Sequence, residues 1–151
     1  FAMPNRIAPP LLCKYETGMA YGSHVDAALL PLIRLNMTLR SDISVTVFLS
    51  DDSSYDGGEL VLQLESRKVP IKLPAGGLVA YPSTFLHEVA EVTRGQRLVA
   101  ITFVESQIID ERHRHMIYSL GEISALEGLT MKPENRRRLD LVRHNLIRMW
   151  S

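Results

Sequence analysis

"ISVTVFLSDDSSYDGGELVLQLES" (residues 43–66) sets two alternating runs on either side of a polar break that contains glycine. In the first run Ile43, Val45, Val47 and Leu49 point one way and Ser44, Thr46 and Phe48 the other. In the second, Leu60, Leu62 and Leu64 alternate with Val61, Gln63 and Glu65. A period of two rich in β-branched residues marks strands, and Asp51-Asp52-Ser53-Ser54 and Asp56-Gly57-Gly58 supply turn chemistry between them. Working outward, "KVPIKL" (68–73), "GLVAY" (77–81), "LHEVAEV" (86–92) and "RLVAITFVE" (97–105) read as further strands. Pro74-Ala75-Gly76-Gly77 and Thr93-Arg94-Gly95 punctuate them. Short strands at close intervals predict an antiparallel sandwich or barrel from about residue 11 to residue 105.

After Glu105 the period changes. Ile108, Ile109, Met116, Ile117, Leu120 and Ile123 recur at helical spacing. A second helix is expected from about Pro133 to Trp150, with Pro133 in its first turn and an apolar stripe of Leu139, Val142, Leu146, Ile147 and Trp150. The expected fold class is therefore mainly β with C-terminal helices (α+β). A β core over 1–105 and a helical extension over 106–151 packed on it would form one domain.

Composition excludes several function classes. The 151 residues are 46% hydrophobic and 23% charged, ordinary for a globular chain with a sizeable core. Lysine plus arginine matches aspartate plus glutamate at 17 each, so no global field draws in nucleic acid or an anionic membrane. The basic run "ENRRRLDLVRHNLIR" (134–148) reads as a solvated helix face. Cys13, the single cysteine, rules out an internal disulfide and a Cys-rich zinc module and fits a reducing, cytoplasmic setting. Arg40, Asp42, Arg67 and Lys72 interrupt the apolar runs, so none is long enough to span a membrane, and no signal-peptide pattern is present. The start at Phe1-Ala2-Met3-Pro4 predicts an upstream segment outside this sequence.

"YGSHVD" (21–26) carries the first chemical signal. Taken alone, His24-Val25-Asp26 is either part of a metal site or two polar residues on a solvated strand. If 22–27 is a strand, His24 and Asp26 share a face and can converge on one ion. A mononuclear iron(II) site of the two-histidine, one-carboxylate type then needs a histidine from elsewhere. His113, His115 and His144 fall among charged residues of the helical region and read as surface histidines. His87 opens a strand late in the β region and is either the missing ligand or a structural residue. Arg97, ten residues further on, enters an apolar strand and needs an anionic partner. Glu59 or Asp42 could serve, as could the distal carboxylate of a dicarboxylic acid whose other end sits on the metal.

These residues in combination resemble a known family. Tyr-x-x-Gly-x-x-Tyr-x-x-His-x-Asp (15–26), Tyr55-Asp56-Gly57-Gly58-Glu59-Leu60, Leu-Pro-Ala-Gly followed by Tyr81-Pro82 and His87, and Thr93-Arg94-Gly95-x-Arg97 are similar to the PKHD-type hydroxylases. That family lies within the iron(II)/2-oxoglutarate-dependent dioxygenases related to prolyl 4-hydroxylases, and the similarity runs from about residue 8 to the end. It implies a double-stranded β-helix (jelly-roll) core with helices against it. It also implies His24, Asp26 and His87 as iron ligands, Arg97 as the residue for the far carboxylate of 2-oxoglutarate, and Tyr15 near the co-substrate. Members carry a longer region ahead of the His-x-Asp than the 23 residues found here.

The implied reaction consumes O2 and 2-oxoglutarate, releases succinate and CO2, hydroxylates a C–H bond of a peptidyl proline or a small molecule, and takes ascorbate as reductant. Ser44 or Thr46 either hydrogen-bonds the co-substrate or packs on the strand face. Tyr21 and Tyr81 either line the pocket or pack, and the Tyr55–Glu59 stretch is a structural turn or a loop beside the substrate mouth. Two other classes stand beside this one: a non-catalytic jelly-roll module that binds a metal or ligand, and a cupin-like enzyme with another divalent metal. Neither explains why His24, Asp26, His87 and Arg97 occur together. Oligomeric state, a homo-oligomer included, is left open.

Overall fold

The computed structural model describes residues 1–151 and divides into two compact units, Arg6–Glu105 and Phe1–Asn5 with Ser106–Ser151. The strands, in chain order, begin with β1 (Pro4–Ile7), β2 (Leu11–Glu16), β3 (Tyr21–His24), β4 (Leu29–Leu32), β5 (Met37–Arg40) and β6 (Ile43–Phe48). They continue with β7 (Asp56–Gly57), β8 (Leu60–Leu64), β9 (Arg67–Ile71), β10 (Leu78–Pro82), β11 (His87–Val89), β12 (Val92–Arg94) and β13 (Gln96–Ser106).

Two antiparallel sheets organise the Arg6–Glu105 unit. In one, β10, β6, β13 and β2 lie side by side. The register opposes Tyr81 to Ser44, Thr46 to Ile101, Phe48 to Val99, and Arg97 to Tyr15. Paired residues share a face, so Ser44, Thr46, Phe48, Val99, Arg97 and Tyr15 all look to the same side. The other sheet runs β3-β11-β8-β9 and sets His87 directly opposite His24. Leu60, Leu62 and Tyr81 form a buried cluster with Ile71, Val79 and Phe85 against it, which joins the two sheets across a shared interior. This is a jelly roll. Two smaller antiparallel pairs, β4-β5 and β12-β7, accompany it.

At the head of the segment that opened the sequence analysis, Ile43 to Thr46 are all buried, on β6 between β13 and β10. Its serine and threonine are inside because they alternate onto the same face as Phe48. Two glycines make the β12-β7 end possible. Gly57 has φ +69, and a Cβ there would stand 2.0 Å from the Glu91 carbonyl oxygen. Gly95 has φ +77, and a Cβ there would stand 2.4 Å from the Ser54 carbonyl oxygen. Only glycine tolerates both the left-handed conformation and the close approach. Arg94 then clamps the pair, its Nε and Nη2 donating to the Asp56 carboxylate at 2.6 and 3.1 Å.

The other unit contains α1 (Glu111–Glu127) and α2 (Pro133–Trp150). Asp110 caps α1, accepting from the N–H groups of Arg112 and His113 at 2.8 and 3.2 Å. Pro133 occupies the first turn of α2, as expected. His113 is not a free surface histidine, since it stacks on Trp150 with ring centroids 3.9 Å apart. His115 and His144 are exposed. Of the expected α2 stripe, Leu139, Leu146, Ile147 and Trp150 are half-buried, whereas Val142 is exposed. No helix is long and apolar enough to cross a membrane.

Candidate active site

Three side chains converge at one end of the jelly-roll interior. Ligating atoms of His24, Asp26 and His87 all lie within 4.8 Å of one another. His24 Nε2 is 3.9 Å from Asp26 Oδ1, and His87 Nε2 is 3.7 Å from Asp26 Oδ2. The two histidines face each other across the β3-β11 ladder, with ring centroids 4.2 Å apart.

Each imidazole is oriented by the main chain. His24 Nδ1 donates to the Gly22 carbonyl at 2.7 Å and His87 Nδ1 to the Phe85 carbonyl at 2.9 Å. A carbonyl only accepts, so the proton of each neutral ring is on Nδ1 and the Nε2 lone pair faces Asp26. Two neutral imidazole nitrogens and one carboxylate oxygen on one side of a point make a donor set suited to iron(II) and related divalent metals, with positions left for other ligands.

Asp26 reaches this position by a different route from the one its spacing suggested. The strand ends at His24, so Asp26 is not a strand residue sharing a face with it. It sits in the following loop, which Ser41 ties down through its hydroxyl to the Ala27 carbonyl and its N–H to the Ala28 carbonyl at 3.0 Å. The carboxylate is then fixed from β6: the Ser44 hydroxyl donates to Asp26 Oδ2 and is itself 2.7 Å from the Ser83 hydroxyl. Ser44 and Ser83 are both buried. Ser44 therefore turns to Asp26, and neither its role nor that of Ser83 was visible in the sequence beyond the inward alternation of β6. Tyr81 packs edge-on to His87 at 5.2 Å, and burial pushes its phenol well above the usual range, with the Asp26 charge adding to the effect. Tyr21 packs on the outer side of His24 at 4.2 Å and is exposed.

Further along the same sheet face is Arg97, 1% exposed. Ser44 and Phe48 are four residues apart on β6, about 13 Å at roughly 3.3 Å per residue, and Arg97 lies next to the Phe48 end. Its guanidinium is 5.0 Å from the centre of the Tyr15 ring and 5.6 Å from that of Phe48. Its Nε and Nη1 have no hydrogen-bond partner. Neither acid proposed from the sequence serves it. Asp42 is paired with Arg40, at 2.8 Å to each carboxylate oxygen, and Glu59 makes no ion pair with Arg97. Burial lowers the Arg97 pKa, opposed by the nearby Tyr15 and Tyr55 phenols. Burial also raises Tyr15, against the pull of the Arg97 charge. A buried guanidinium with open N–H groups fits a carboxylate that arrives as a ligand.

Comparison with known proteins agrees with this geometry. Residues 10–105 match the model of the 2OG-Fe(II) oxygenase superfamily. The chain belongs to that superfamily. Iron(II), 2-oxoglutarate and O2 are the reactants of 2OG-Fe(II) oxygenase chemistry, and the donor set and the open arginine suit the first two. Among curated relatives, a PKHD-type hydroxylase of Sphingopyxis alaskensis is 51% identical over 150 residues, 99% of this chain and 68% of that protein. One from Shewanella frigidimarina is 44% identical over 155 residues, 99% of this chain and 67% of its own length. The chain thus spans about two thirds of the length of these relatives. Among solved structures, a Pseudomonas putida prolyl-4-hydroxylase superposes with a TM-score of 0.55 at 22% identity, covering 70% of this chain and 55% of that one. An oxidoreductase of the 2OG-Fe(II) oxygenase family from Burkholderia pseudomallei gives 0.51 at 23%, covering 62% and 41%. These two likenesses support the jelly-roll fold of this 2OG-Fe(II) oxygenase.

Proposed function

We propose that the protein is a hydroxylase in which His24, Asp26 and His87 hold iron(II) and Arg97 takes the far carboxylate of 2-oxoglutarate, with Tyr15 beside it. One observation carries the reading. A converging set of two imidazoles and a carboxylate and a buried, unpaired guanidinium look from one pair of packed sheets into the same interior. Iron(II) bound there would activate O2 and, with the oxidative decarboxylation of 2-oxoglutarate to succinate and CO2, supply the oxidising power that puts a hydroxyl on a C–H bond.

The chain's own residues orient and exclude. Nδ1–H bonds to Gly22 and Phe85 hold both Nε2 lone pairs forward, and Ser44 holds the Asp26 carboxylate. Arg97 binds the anion as a planar fork, and the rings of Tyr15 and Phe48 keep water from it, so the charge pairing acts in a medium of low dielectric. The neutral imidazoles must stay unprotonated to hold a metal, so activity falls at acid pH. The prime substrate to test first is a peptidyl proline, by the fold shared with the Pseudomonas putida prolyl-4-hydroxylase, and then small molecules. Ascorbate belongs in the assay as reductant. The lone cysteine fits a cytoplasmic enzyme.

The test is an anaerobic titration with iron(II) and then 2-oxoglutarate, followed by visible absorption. A weak charge-transfer band that needs both additions and is lost in His87→Ala is the expected result. Folded, iron-loaded protein without the band would overturn the reading and leave a module that only binds.

A further inference from the structure

Asp26 is the one member of the converging set that no strand holds. His24 and His87 each lean on a carbonyl two residues back in their own stretch of chain, whereas Asp26 lies between the end of β3 and the start of β4. Its support comes from a tripeptide. Ser41 binds the loop through the Ala27 and Ala28 carbonyls. The Asp42 carbonyl accepts from the Ser83 N–H at 3.1 Å, and the Ser83 hydroxyl meets Ser44, which donates to the Asp26 carboxylate. Arg40-Ser41-Asp42 therefore reaches Asp26 along two routes.

What holds the tripeptide is a buried chain of charges. Glu105, 5% exposed near the end of β13, accepts the Arg40 N–H on Oε2 at 3.0 Å. Its Oε1 accepts from Arg6 Nε and Nη2 at 3.1 and 2.8 Å. The Arg40 guanidinium in turn donates through Nε and Nη2 to the two oxygens of Asp42, at 2.8 Å each. Asp42 is also buried, and its N–H donates to the Val104 carbonyl at 3.0 Å, next to Glu105. Buried ion pairs add little to stability, because desolvation offsets the attraction. What they supply is direction, since a two-pronged arginine–carboxylate pair has one geometry. We propose that Glu105 and Arg40 are positioning residues for Asp26, a bracket that sets where its carboxylate stands relative to the two imidazoles. This rests on the reading of His24, Asp26 and His87 as metal ligands. It gives a task to charges on β1, β5 and β13 that the function proposed above leaves idle.

Two metals read the bracket through different donors. Mn(II) depends more on carboxylate oxygen and Ni(II) more on imidazole nitrogen. A displaced Asp26 should therefore weaken Mn(II) more than Ni(II), whereas a generally loosened fold weakens both alike. Calorimetric titration of the metal-free protein with each ion makes the comparison. Glu105→Ala should weaken Mn(II) roughly 10-fold, the low end for residues that orient a ligand from behind, and Ni(II) less. Ser41→Ala should shift the ratio the same way. The double variant should lose less than the product of the two single losses, because both act on one loop. Unchanged Mn(II) affinity in Glu105→Ala, equal loss of both ions, or full independence from Ser41→Ala would each overturn the proposal. Should Glu105→Ala not fold, Arg40→Lys keeps the charge, breaks the two-pronged pairing with Asp42 and is read by the same ratio. Asp26→Ala separates the two levels of inference. If the parent binds neither ion, or Asp26→Ala keeps the parent's ratio, the ligand reading itself fails; if Asp26→Ala loses the ratio while Glu105→Ala keeps it, only the bracket fails.

Discussion

The two ends of the jelly-roll interior are built on opposite plans. At the His24–Asp26–His87 end each ring is fixed through Nδ1 by a main-chain carbonyl, and Asp26 takes a hydrogen bond from Ser44, backed by Ser83. At the Arg97 end Nε and Nη1 of the guanidinium have no partner, and the neighbours are the rings of Tyr15 and Phe48. The first end is pre-organised by the protein's own bonds, so that a metal held there would meet lone pairs already aimed. The second end is short of hydrogen bonds, which on the function proposed above an anion would supply. Orientation costs the chain little at the first end. Selectivity for a charged ligand costs it stability at the second.

Substitutions at each end should separate these plans. The largest effect is expected of Asp26→Ala, which removes the only charged donor of the set. Succinate formation should fall to background while the circular dichroism spectrum is kept, and undiminished turnover would remove Asp26 from the site. Arg97→Leu should raise the dissociation constant for 2-oxoglutarate roughly a hundredfold, the scale for removing one partner of a desolvated charge pair. Its thermal midpoint without ligand should hold or rise, because an apolar side chain replaces a buried charge that has no partner. A fall would mean that the guanidinium is satisfied within the fold. Ser44→Ala should weaken metal binding about 10- to 100-fold, as is usual for residues that orient a ligand; equilibrium dialysis against Mn(II) measures it. Ser83→Ala should act in the same direction and less, because it touches Asp26 only through Ser44.

The smallest effect lies in the helical unit and belongs to neither plan. Hydrogen bonds from Arg112 and His113 bring Asp110 down to about 2 from an ordinary 3.8. A depressed carboxyl contributes stability above its unfolded value and loses it as pH falls through the folded one. Helical content should therefore erode between about pH 4 and pH 2, and Asp110→Ala should lack that step. A step that survives in the variant would assign it to another group.

How much of this was legible before the structure depended on the range of each interaction. The strands around residues 43–66 were readable because alternation is local, and so were α1 and α2, whose period is local too. His24 and His87 were singled out by residue type and by resemblance. That they stand opposite each other is a matter of β3-β11 register, which no spacing reports. Asp26 joins the two histidines by a route its spacing did not suggest: a loop tied by Ser41, not a shared strand face, carries it beside them. For Arg97 the need for an anion was clear from an arginine in an apolar strand, but Asp42 was lost as a partner to an arginine two residues away. The burial of Tyr55 was hidden behind its glycines. A large aromatic inside "SDDSSYDGG" was the available signal, since a solvated turn has no use for one.

The carbonyls that orient the two histidines have a consequence for divergence. Every amino acid carries the same main-chain oxygen, so position 22, where an added Cβ would meet nothing within 4 Å, can change identity without disturbing the His24 imidazole, provided the local backbone path is kept. Substitution at this exposed position is therefore free to change the surface beside His24 while the three converging side chains are inherited intact. Descendants of such a scaffold could drift to new targets one side chain at a time, with no generation having to rebuild the chemistry.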